Sequence, residues 1–470
     1  MKKYRIRIVM SLVIMILLLV ACQSVDTDQP STTEIARTLQ STTELPPSTP
    51  IVETEISARF TISAELSLQS AITALYQAYF PGEAPVFVET NADLAVFTRD
   101  TNNGERPEIF PTFLENAIVI NQTDSQNAAA FINFAISPEG QKVLIEAGEL
   151  ASTLTLRDQA GNQVQLNQPI ERVISSYGPA TAFIYSVNAE DRLVSASYLG
   201  ARDPFGAEVM GKIDPRFPGI MGEEFFTQED FNIEQAASLD PDLIITSARS
   251  TWLETASQLE LSLFLFDAEN PERLQEAVQL TGKIFGPNPS AYADAWVSYY
   301  NAVSSQIEEQ TATLSEEQRP RVLFTGTEPL RVASGDMYQT DMINIAGGVS
   351  VSEALSGYWN DINLEQVVVW DPDVIIVPPY GGASVEAITE SPEWQILDAV
   401  KERRVYQMPK LVAPWDTPAP DSVLGIVWLA ERLHPDLVDL DCSEEADYFY
   451  NTFYQYAIPA VEIARICEFE

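Results

Sequence analysis

Two glutamates occupy equivalent positions in a fourteen-residue segment that this chain carries twice. The copies read NIEQAASLDPDLII from Asn232 to Ile245 and NLEQVVVWDPDVII from Asn363 to Ile376, and eight positions are identical. The two glutamates are Glu234 and Glu365. A carboxylate can act as a general acid or base, or it can form an ion pair with a cationic partner. The duplication therefore indicates either a duplicated active site or two equivalent contact points.

Histidine is nearly absent, which limits the chemistry available to these acids. The only histidine among 470 residues is His434, in a Leu-His-Pro sequence at the expected end of a helix. No Ser/His/Asp arrangement can be built, and zinc, copper and manganese sites usually draw on several imidazoles. We expect a structural role for His434, because a helix C-terminus favours a cationic ring. No pair stands out among the 68 acids, so we expect no enzyme activity, no catalytic residues and no metal held by the protein alone.

The residues around each glutamate predict the same helix, turn and strand. Asn232 and Asn363 suit the N-cap position, and a glutamate in the first turn is favoured by the helix dipole. Asp-Pro-Asp should end the helix, and the apolar residues that follow are typical of a buried parallel strand. Loops beyond the carboxyl ends of such strands form ligand crevices. These loops are Thr246–Trp252 and Pro378–Ser384.

The wider pattern predicts two α/β lobes joined by one long helix. We place the N-lobe at 152–286, the linking helix at 287–319 and the C-lobe at 320–470. Within the linking region, Ser290 is the expected N-cap of a helix that ends at Leu314 and carries an aromatic stripe, which we interpret as core packing. Further helices are expected at Pro179–Val187, Asn232–Leu239, Tyr338–Ala346 and Ser422–Leu433.

The first residues indicate export from the cytoplasm. A basic start, an apolar stretch and the sequence Leu19-Val20-Ala21-Cys22 describe a signal peptide at 1–22. The cysteine after Leu-Val-Ala resembles the bacterial lipobox, which implies lipidation of Cys22 and an extracytoplasmic protein anchored to the cell membrane. An ordinary anchor helix with an incidental cysteine is the alternative. Residues 23–57 are rich in Ser, Thr and Pro and predict a flexible tether.

Charge and cysteine content restrict the partners and the compartment. A formal net charge of −41 repels phosphate backbones, so we expect no nucleic-acid binding. Besides Cys22, the chain has only Cys442 and Cys467. In an oxidising compartment we expect them to form a disulfide near the C-terminus, with two free thiols as the alternative.

Residues 58–151 predict a small α/β segment, and its two ends resemble molybdate-type oxyanion-binding proteins. The resemblance rests on Ser-Ala-Glu-Leu-Ser-Leu from Ser63 to Leu68 and on the stretch from Ala128 to Gln141, which contains Ser-Pro-Glu-Gly-Gln. It implies oxyanion contacts near Ser63 and Ser67. Only about ninety residues cover both ends of that family's pattern, so we interpret the segment as a truncated, one-lobed remnant or accessory domain.

Residues from about 154 to 470 resemble the iron-complex/cobalamin class of ABC-transporter binding proteins. The resemblance rests on the doubled segment, on Arg172-Val173-Ile174-Ser175, on Ala346-Gly347-Gly348 and on Trp415-Asp416-Thr417-Pro418. It implies rigid lobes, no catalysis, a monomer, and a permease dimer with its ATPase as partners. It also implies that Glu234 and Glu365 pair with arginines on the two permease subunits. The alternative is that both glutamates only stabilise helix N-termini.

Aromatic and arginine side chains near the strand ends are the candidate ligand contacts. Aromatic rings offer flat apolar surface to a chelate or corrin ring, and arginine can hold carboxylates. The candidates are Tyr177, Arg249, Trp252, Tyr380 and Trp415. The resemblance implies capture of an iron or cobalt organic complex, with a ferric siderophore as the leading candidate and cobalamin or haem as others. A sensor or scavenger lipoprotein of the same fold, or oxyanion binding by the N-terminal segment, are the alternatives.

Overall fold

The structure, a computed structural model, describes residues 60–98, 106–197, 204–221, 231–256 and 261–467. The predicted signal peptide, the lipidation site Cys22 and the predicted tether lie outside these residues. Within the described part of the chain, no helix combines the length and the apolar character needed to cross a membrane.

The N-terminal segment is an α/β unit with its own hydrophobic core. Its five-stranded sheet has the order β2-β1-β3-β5-β4; β1 lies parallel to β2 and β3, whereas β5 is antiparallel to its neighbours. Ser125 and Ser137 cap two successive helices through their side-chain oxygens, and Pro138 at the first turn of the second lacks the N–H that a helix start leaves unpaired. The elements are β1 (Thr61–Ala64), α1 (Gln69–Tyr79), β2 (Val86–Phe87), β3 (Leu94–Thr98), β4 (Thr112–Leu114), β5 (Ala117–Asn121), α2 (Gln126–Ile136) and α3 (Pro138–Glu146).

The N-lobe begins with a hairpin and continues as a parallel sheet covered by helices. The sheet order is β11-β10-β8-β9, and the pairs within it are parallel. Every residue of β8 and β10 is buried, as expected for strands covered on both faces. The elements are β6 (Thr153–Arg157), β7 (Gln163–Asn167), β8 (Val173–Ser175), α4 (Gly178–Ser186), β9 (Leu193–Ala196), α5 (Pro204–Ile213), α6 (Phe217–Ile220), α7 (Ile233–Ser238), β10 (Leu243–Ser247), α8 (Leu253–Ala256), β11 (Leu263–Phe266) and α9 (Pro271–Phe285).

One helix of 25 residues, α10 (Pro287–Thr311), connects the lobes. The predicted N-cap Ser290 is wrong, because the helix already begins at Pro287, where a proline costs no hydrogen bond. Gly286 precedes it with φ 108°, a conformation that favours glycine and lets the chain turn sharply out of α9. The predicted aromatic stripe is core packing: Trp296, Tyr299 and Tyr300 are buried in a hydrophobic cluster that also contains residues of both lobes. Relative motion of the lobes would therefore require this shared core to repack.

The C-lobe repeats the parallel α/β pattern and ends in two extra helices. Its sheet order is β14-β12-β16-β17, and β17 forms one edge. A disulfide joins Cys442 and Cys467, which bracket the last two helices. The elements are β12 (Arg321–Phe324), β13 (Arg331–Val332), α11 (Tyr338–Ile345), β14 (Val349–Ser350), β15 (Asn360–Asp361), α12 (Leu364–Trp370), β16 (Val374–Val377), α13 (Val385–Thr389), α14 (Asp398–Lys401), β17 (Val405–Gln407), α15 (Ser422–Leu433), α16 (Cys442–Phe453) and α17 (Ala460–Cys467).

The expected fold class is confirmed: two α/β lobes are joined by one long helix and preceded by a small α/β segment. The segment contacts the rest of the chain at the start of α10 and at α16. Thr112 donates its backbone N–H to Asn288 Oδ1 at 3.1 Å, and Arg106 forms an ion pair of 2.7 Å with Glu445.

Candidate functional site

The doubled segment forms the same local structure in both lobes. The side chain of Asn232 accepts a hydrogen bond of 3.0 Å from the backbone N–H of Gln235. Asn363 accepts the equivalent bond of 2.9 Å from Gln366. Both asparagines thus cap their helices, as the sequence predicts.

The second aspartate of each Asp-Pro-Asp triplet ties the segment to the first strand of its lobe. Asp242 accepts the backbone N–H of Arg172 at 2.9 Å, and Asp373 accepts that of Arg321 at 2.8 Å. Each arginine then donates from its guanidinium to carbonyls at the end of α7 or α12, where cationic groups are favoured. Much of the repeat therefore stabilises the local helix, turn and strand and does not supply reactive groups.

Glu234 and Glu365 are repeated residues whose side chains face outward in both lobes. Each lies in the first turn of its short helix, α7 or α12, and each side chain is exposed. Each lobe thus has an exposed carboxylate in the first turn of its repeat helix.

The strand ends of the N-lobe bring a tyrosine, an arginine and two acids together. Arg249, after β10, donates Nη2 to Asp267 Oδ1 at 2.5 Å and Nη1 to Glu269 Oε1 at 2.8 Å. Its guanidinium carbon lies 4.1 Å from the ring centre of Tyr358, a residue of the C-lobe. Tyr177, after β8, is close enough to Arg249 and Glu269 for their charges to act on its phenol. Together with Tyr380 and Asp416 of the C-lobe, described next, these residues are called the cleft residues.

On the C-lobe side, a buried carboxylate accepts a hydrogen bond from a tyrosine. Tyr380 Oη donates to Asp416 Oδ2 at 2.5 Å. Asp416 is completely buried, and its other oxygen, Oδ1, has no hydrogen-bond partner among the described residues. Burial raises the pKa of Asp416 to about 6, while the bond from Tyr380 opposes that shift. At neutral pH this acid is therefore mostly ionised.

Burial holds the cleft tyrosines Tyr177 and Tyr380 as neutral phenols. Burial, followed by the negative charge of Glu269, raises the pKa of Tyr177. Burial, followed by the charge of Asp416, raises the pKa of Tyr380. Among the described residues, the cleft thus has three tyrosine hydroxyls, one arginine and three carboxylates, and these groups together carry a net negative charge.

Two of the five predicted ligand contacts, Trp252 and Trp415, are buried against other side chains. Trp252 is 7% exposed and stacks on Phe231 at 3.9 Å, inside a hydrophobic cluster of the N-lobe. Trp415 is 0% exposed, and its Nε1 donates to Tyr450 Oη at 3.1 Å. Gly425 allows α15 to pack directly against the Trp415 backbone, where any side chain would collide. Both indoles are covered because their loops fold back onto the core.

Four cleft residues were missed by the sequence prediction. Asp267 and Glu269 follow β11, so the same strand-end rule that selected Arg249 would have found them. Asp416 was named only as part of the Trp-Asp-Thr-Pro motif. Tyr358 precedes β15, in an irregular stretch without a strand-end signal.

The N-terminal segment has a cavity of about 440 Å³ beside Ser63, one of its two predicted oxyanion contacts. Ser67 is exposed and does not line it. The lining includes Glu65 and Glu89, and Glu65 Oε1 accepts the backbone N–H of Thr98 at 3.1 Å. Carboxylates repel an oxyanion, so this cavity is poorly suited to the predicted ligand.

Across the described ranges, no group of three or more His, Cys, Asp or Glu side chains is arranged to hold a metal ion. His434 lies instead at the end of α15, where its Nε2 is 3.1 Å from the carbonyl of Gly347.

Comparisons with known proteins locate the similarity in the two-lobed region. Residues 223–411 match the family model described as periplasmic binding protein. The molybdate-binding protein MolA of Haemophilus influenzae is 25% identical over 235 residues, which cover 50% of this chain and 66%, just under two thirds, of that protein. An uncharacterised ABC transporter substrate-binding lipoprotein of Bacillus subtilis is 23% identical over 292 residues, covering 60% of this chain and 86% of the relative.

The fold is also that of solved binding proteins. A periplasmic solute binding protein from Veillonella parvula aligns with a TM-score of 0.59 at 24% identity, covering 67% of this chain and 97% of that one. The two lobes and their linking helix thus have the fold of periplasmic binding proteins.

Proposed function

We propose that this chain is the substrate-binding component of an ABC importer, which captures a metal chelate and delivers it to a permease dimer with its ATPase. The leading ligand is a ferric siderophore, and cobalamin or haem are the other candidates. Lipidation of Cys22 would anchor the protein to the outer face of the membrane. The fold of the two lobes supports a binding role, because a ligand crevice lies at the carboxyl ends of parallel strands.

The observation that carries this proposal is the charge of the cleft. Among the described cleft residues the one arginine, Arg249, is already engaged by Asp267 and Glu269, and Asp416 adds a third carboxylate. A bare oxyanion would lose its hydration and meet net negative charge. A neutral or cationic complex that brings its own metal ligands avoids this penalty. Tyr177 and Tyr358 offer it hydroxyl donors, and the cleft tyrosines offer it ring faces.

Delivery to the permease is assigned to Glu234 and Glu365. Both are exposed in the first turn of equivalent helices, one in each lobe. A dimeric permease presents the same cationic pocket twice, and two matching carboxylates complement it.

Molybdate or a similar oxyanion is the second candidate ligand. It is supported by the similarity to the molybdate-binding protein of H. influenzae. The three carboxylates of the cleft argue against it. A sensor or scavenger of the same fold, which hands its ligand to a receptor, would have the same cleft but no need for two docking carboxylates.

The decisive experiment is a ligand screen of the mature chain by thermal unfolding and calorimetry. The panel contains ferric siderophores, haem, cobalamin, molybdate and tungstate. We expect one metal complex to raise the unfolding temperature, and Tyr177→Phe to weaken its binding by about tenfold through loss of one hydroxyl donor. Tyr406→Phe, outside the cleft, is the matched control. Stabilisation by an oxyanion alone would overturn the chelate assignment.

A further inference from the structure

A second cavity, of about 660 Å³, lies along the free edge of the C-lobe sheet. Strand β17 forms one wall, α15 and α17 form others, and Phe205 of α5 closes it from the N-lobe. Its volume is within the range of small-molecule sites. None of the cleft residues lines it, although Pro379 is the neighbour of Tyr380 in the chain. This cavity is called the edge pocket.

Three cationic side chains line the edge pocket of a strongly acidic protein. They are Lys410, Arg432 and Arg465, drawn from only 27 lysines and arginines in a chain of net charge −41. They come from three separate elements: the loop after β17, the end of α15, and α17. Their meeting produces a local positive potential that the overall charge does not predict.

Arg432 is the most firmly placed of the three. Its guanidinium carbon lies 3.6 Å from the centre of the Trp428 ring, Nη1 donates to the Trp428 carbonyl at 3.1 Å, and Nη2 donates to the Cys467 carbonyl at 3.2 Å. Burial lowers the pKa of Arg432 to about 9, with the nearby Glu431 charge opposing the shift. A cation desolvated in this way is stabilised by an anion at the same site.

The remaining walls are largely apolar or aromatic. Trp428, Tyr406 and Phe205 provide ring surface, and Met408 and Val385 provide aliphatic contacts. Trp428 is 2% exposed, and its Nε1 has no acceptor among the described residues. The pocket thus combines positive charge with flat apolar walls.

One carboxylate, Glu386, also lines the pocket. It lies in the first turn of α13, and hydrogen bonds from its own backbone N–H and from Ser384 lower its pKa. Its charge is thus directed to the start of α13, where the helix dipole stabilises it. Among the described residues that line the cavity, three cations stand against one anion.

We propose that the edge pocket binds an organic anion that carries at least two carboxylate or phosphate groups on a partly apolar body. Arg432 and Arg465 would hold the anionic groups, Lys410 would add a third positive charge, and Tyr406 with Phe205 would cover the apolar body. This site is additional to the interlobe cleft and does not depend on the identity of the cleft ligand.

Calorimetric titration of the mature chain tests the proposal with three probes: phthalate, citrate and inorganic phosphate. We expect phthalate and citrate to bind with dissociation constants of about 1 mM or tighter, and phosphate to bind more weakly. Arg465→Gln and Lys410→Gln should each weaken phthalate binding about five- to tenfold. Added salt should weaken it further. Both positions are at the surface side of the pocket, so folding is checked by circular dichroism and is expected to be retained.

Two control variants test whether phthalate binds at the edge pocket or elsewhere on the protein. Lys401→Gln removes an exposed lysine of the same lobe, outside the pocket, and should leave phthalate affinity unchanged. Arg249→Gln alters the interlobe cleft and should also leave it unchanged. The proposal is overturned if neither organic anion binds at about 10 mM, if phosphate binds more tightly than both, or if Arg249→Gln abolishes binding while Arg465→Gln does not. If no metal chelate binds in the ligand screen proposed above, the predictions for phthalate binding at the edge pocket stay the same.

Discussion

The guanidinium of Arg249, carried by the N-lobe, lies 4.1 Å from the centre of the Tyr358 ring of the C-lobe. This cation–π contact bridges the two lobes at one side of the cleft, and Asp267 and Glu269 hold the arginine in place from its own lobe. This contact therefore links the two lobes beside the cleft. A ligand in the cleft must either contact the Arg249–Tyr358 pair or displace it.

Replacing Tyr358 by leucine should remove this brace. The ring is 47% exposed, and an exposed cation–π contact is worth about 0.5–1 kcal/mol. We expect the unfolding temperature to fall by about 2 °C. Tyr358→Phe keeps the ring and is the control; an equal loss in both variants would show that the hydroxyl group, and not the ring face, matters.

The double variant Glu234→Ala/Glu365→Ala should separate binding from transport. Ligand affinity should remain within about twofold of wild type, because neither residue lies at the cleft, while uptake through the permease should be lost. Glu272→Ala, which removes an exposed acid from the first turn of α9, controls for helix stability. Normal uptake by the double variant would rule out the docking role.

Asp416 should make stability depend on pH between about 4 and 6. Burial raises its pKa from 3.8 to about 6, so the folded chain binds this proton more tightly than the unfolded chain. The resulting stabilisation is present below pH 4 and is lost as the pH rises through 6. Asp416→Asn removes the titrating group and so abolishes this dependence. Between pH 4 and pH 7 the wild type should therefore lose up to about 2–3 kcal/mol of unfolding free energy relative to the variant. Urea unfolding at both pH values measures it, with the exposed Asp361→Asn as the control; no change in the difference would refute the assignment.

Reduction of the Cys442–Cys467 bond should loosen the C-terminal helices. The cysteines are 25 residues apart, and a cross-link closing such a loop stabilises by about 3 kcal/mol. We expect a reductant to lower the unfolding temperature of the wild type, whereas Cys442→Ala/Cys467→Ala should be lower already and insensitive to reductant. Because Cys467 holds Arg432 through its carbonyl, the double variant should also bind phthalate more weakly.

Two ion pairs between the N-terminal segment and the rest of the chain should differ in strength. Arg106 pairs with Glu445, whose side chain is 5% exposed and also accepts the Tyr299 hydroxyl. Lys142 pairs with Glu171, and both are substantially exposed. Arg106→Gln leaves a buried acid without its cation and should cost about 3 kcal/mol, whereas Lys142→Gln should cost less than about 1 kcal/mol. Limited proteolysis should release the segment faster only in Arg106→Gln; equal rates would contradict the buried-pair argument.

Elements close in sequence were predicted well. The helices expected at Pro179–Val187 and Tyr338–Ala346 end within one residue of Gly178–Ser186 and Tyr338–Ile345, and Ser422–Leu433 has the expected bounds. Capping and helical periodicity depend on residues a few positions apart, so they can be recognised in a single sequence. The start of α10 was missed because Pro287 and Pro289 both precede Ser290, which is itself a good N-cap residue. In the structure Asn288 and Pro289 are buried, and the helix begins earlier, at Pro287.

The sequence by itself determined the two-lobed α/β pattern, the caps of the repeat and the first-turn positions of Glu234 and Glu365, because these depend on local spacing. Only the tertiary structure decided which strand-end side chains meet. Trp415 is buried by the close approach of α15 at Gly425, Arg249 is neutralised by acids eighteen and twenty residues away, and three cations from separate elements converge beside β17. Such contacts depend on how lobes and helices that are far apart in the sequence pack together. Local sequence periodicity therefore cannot predict them.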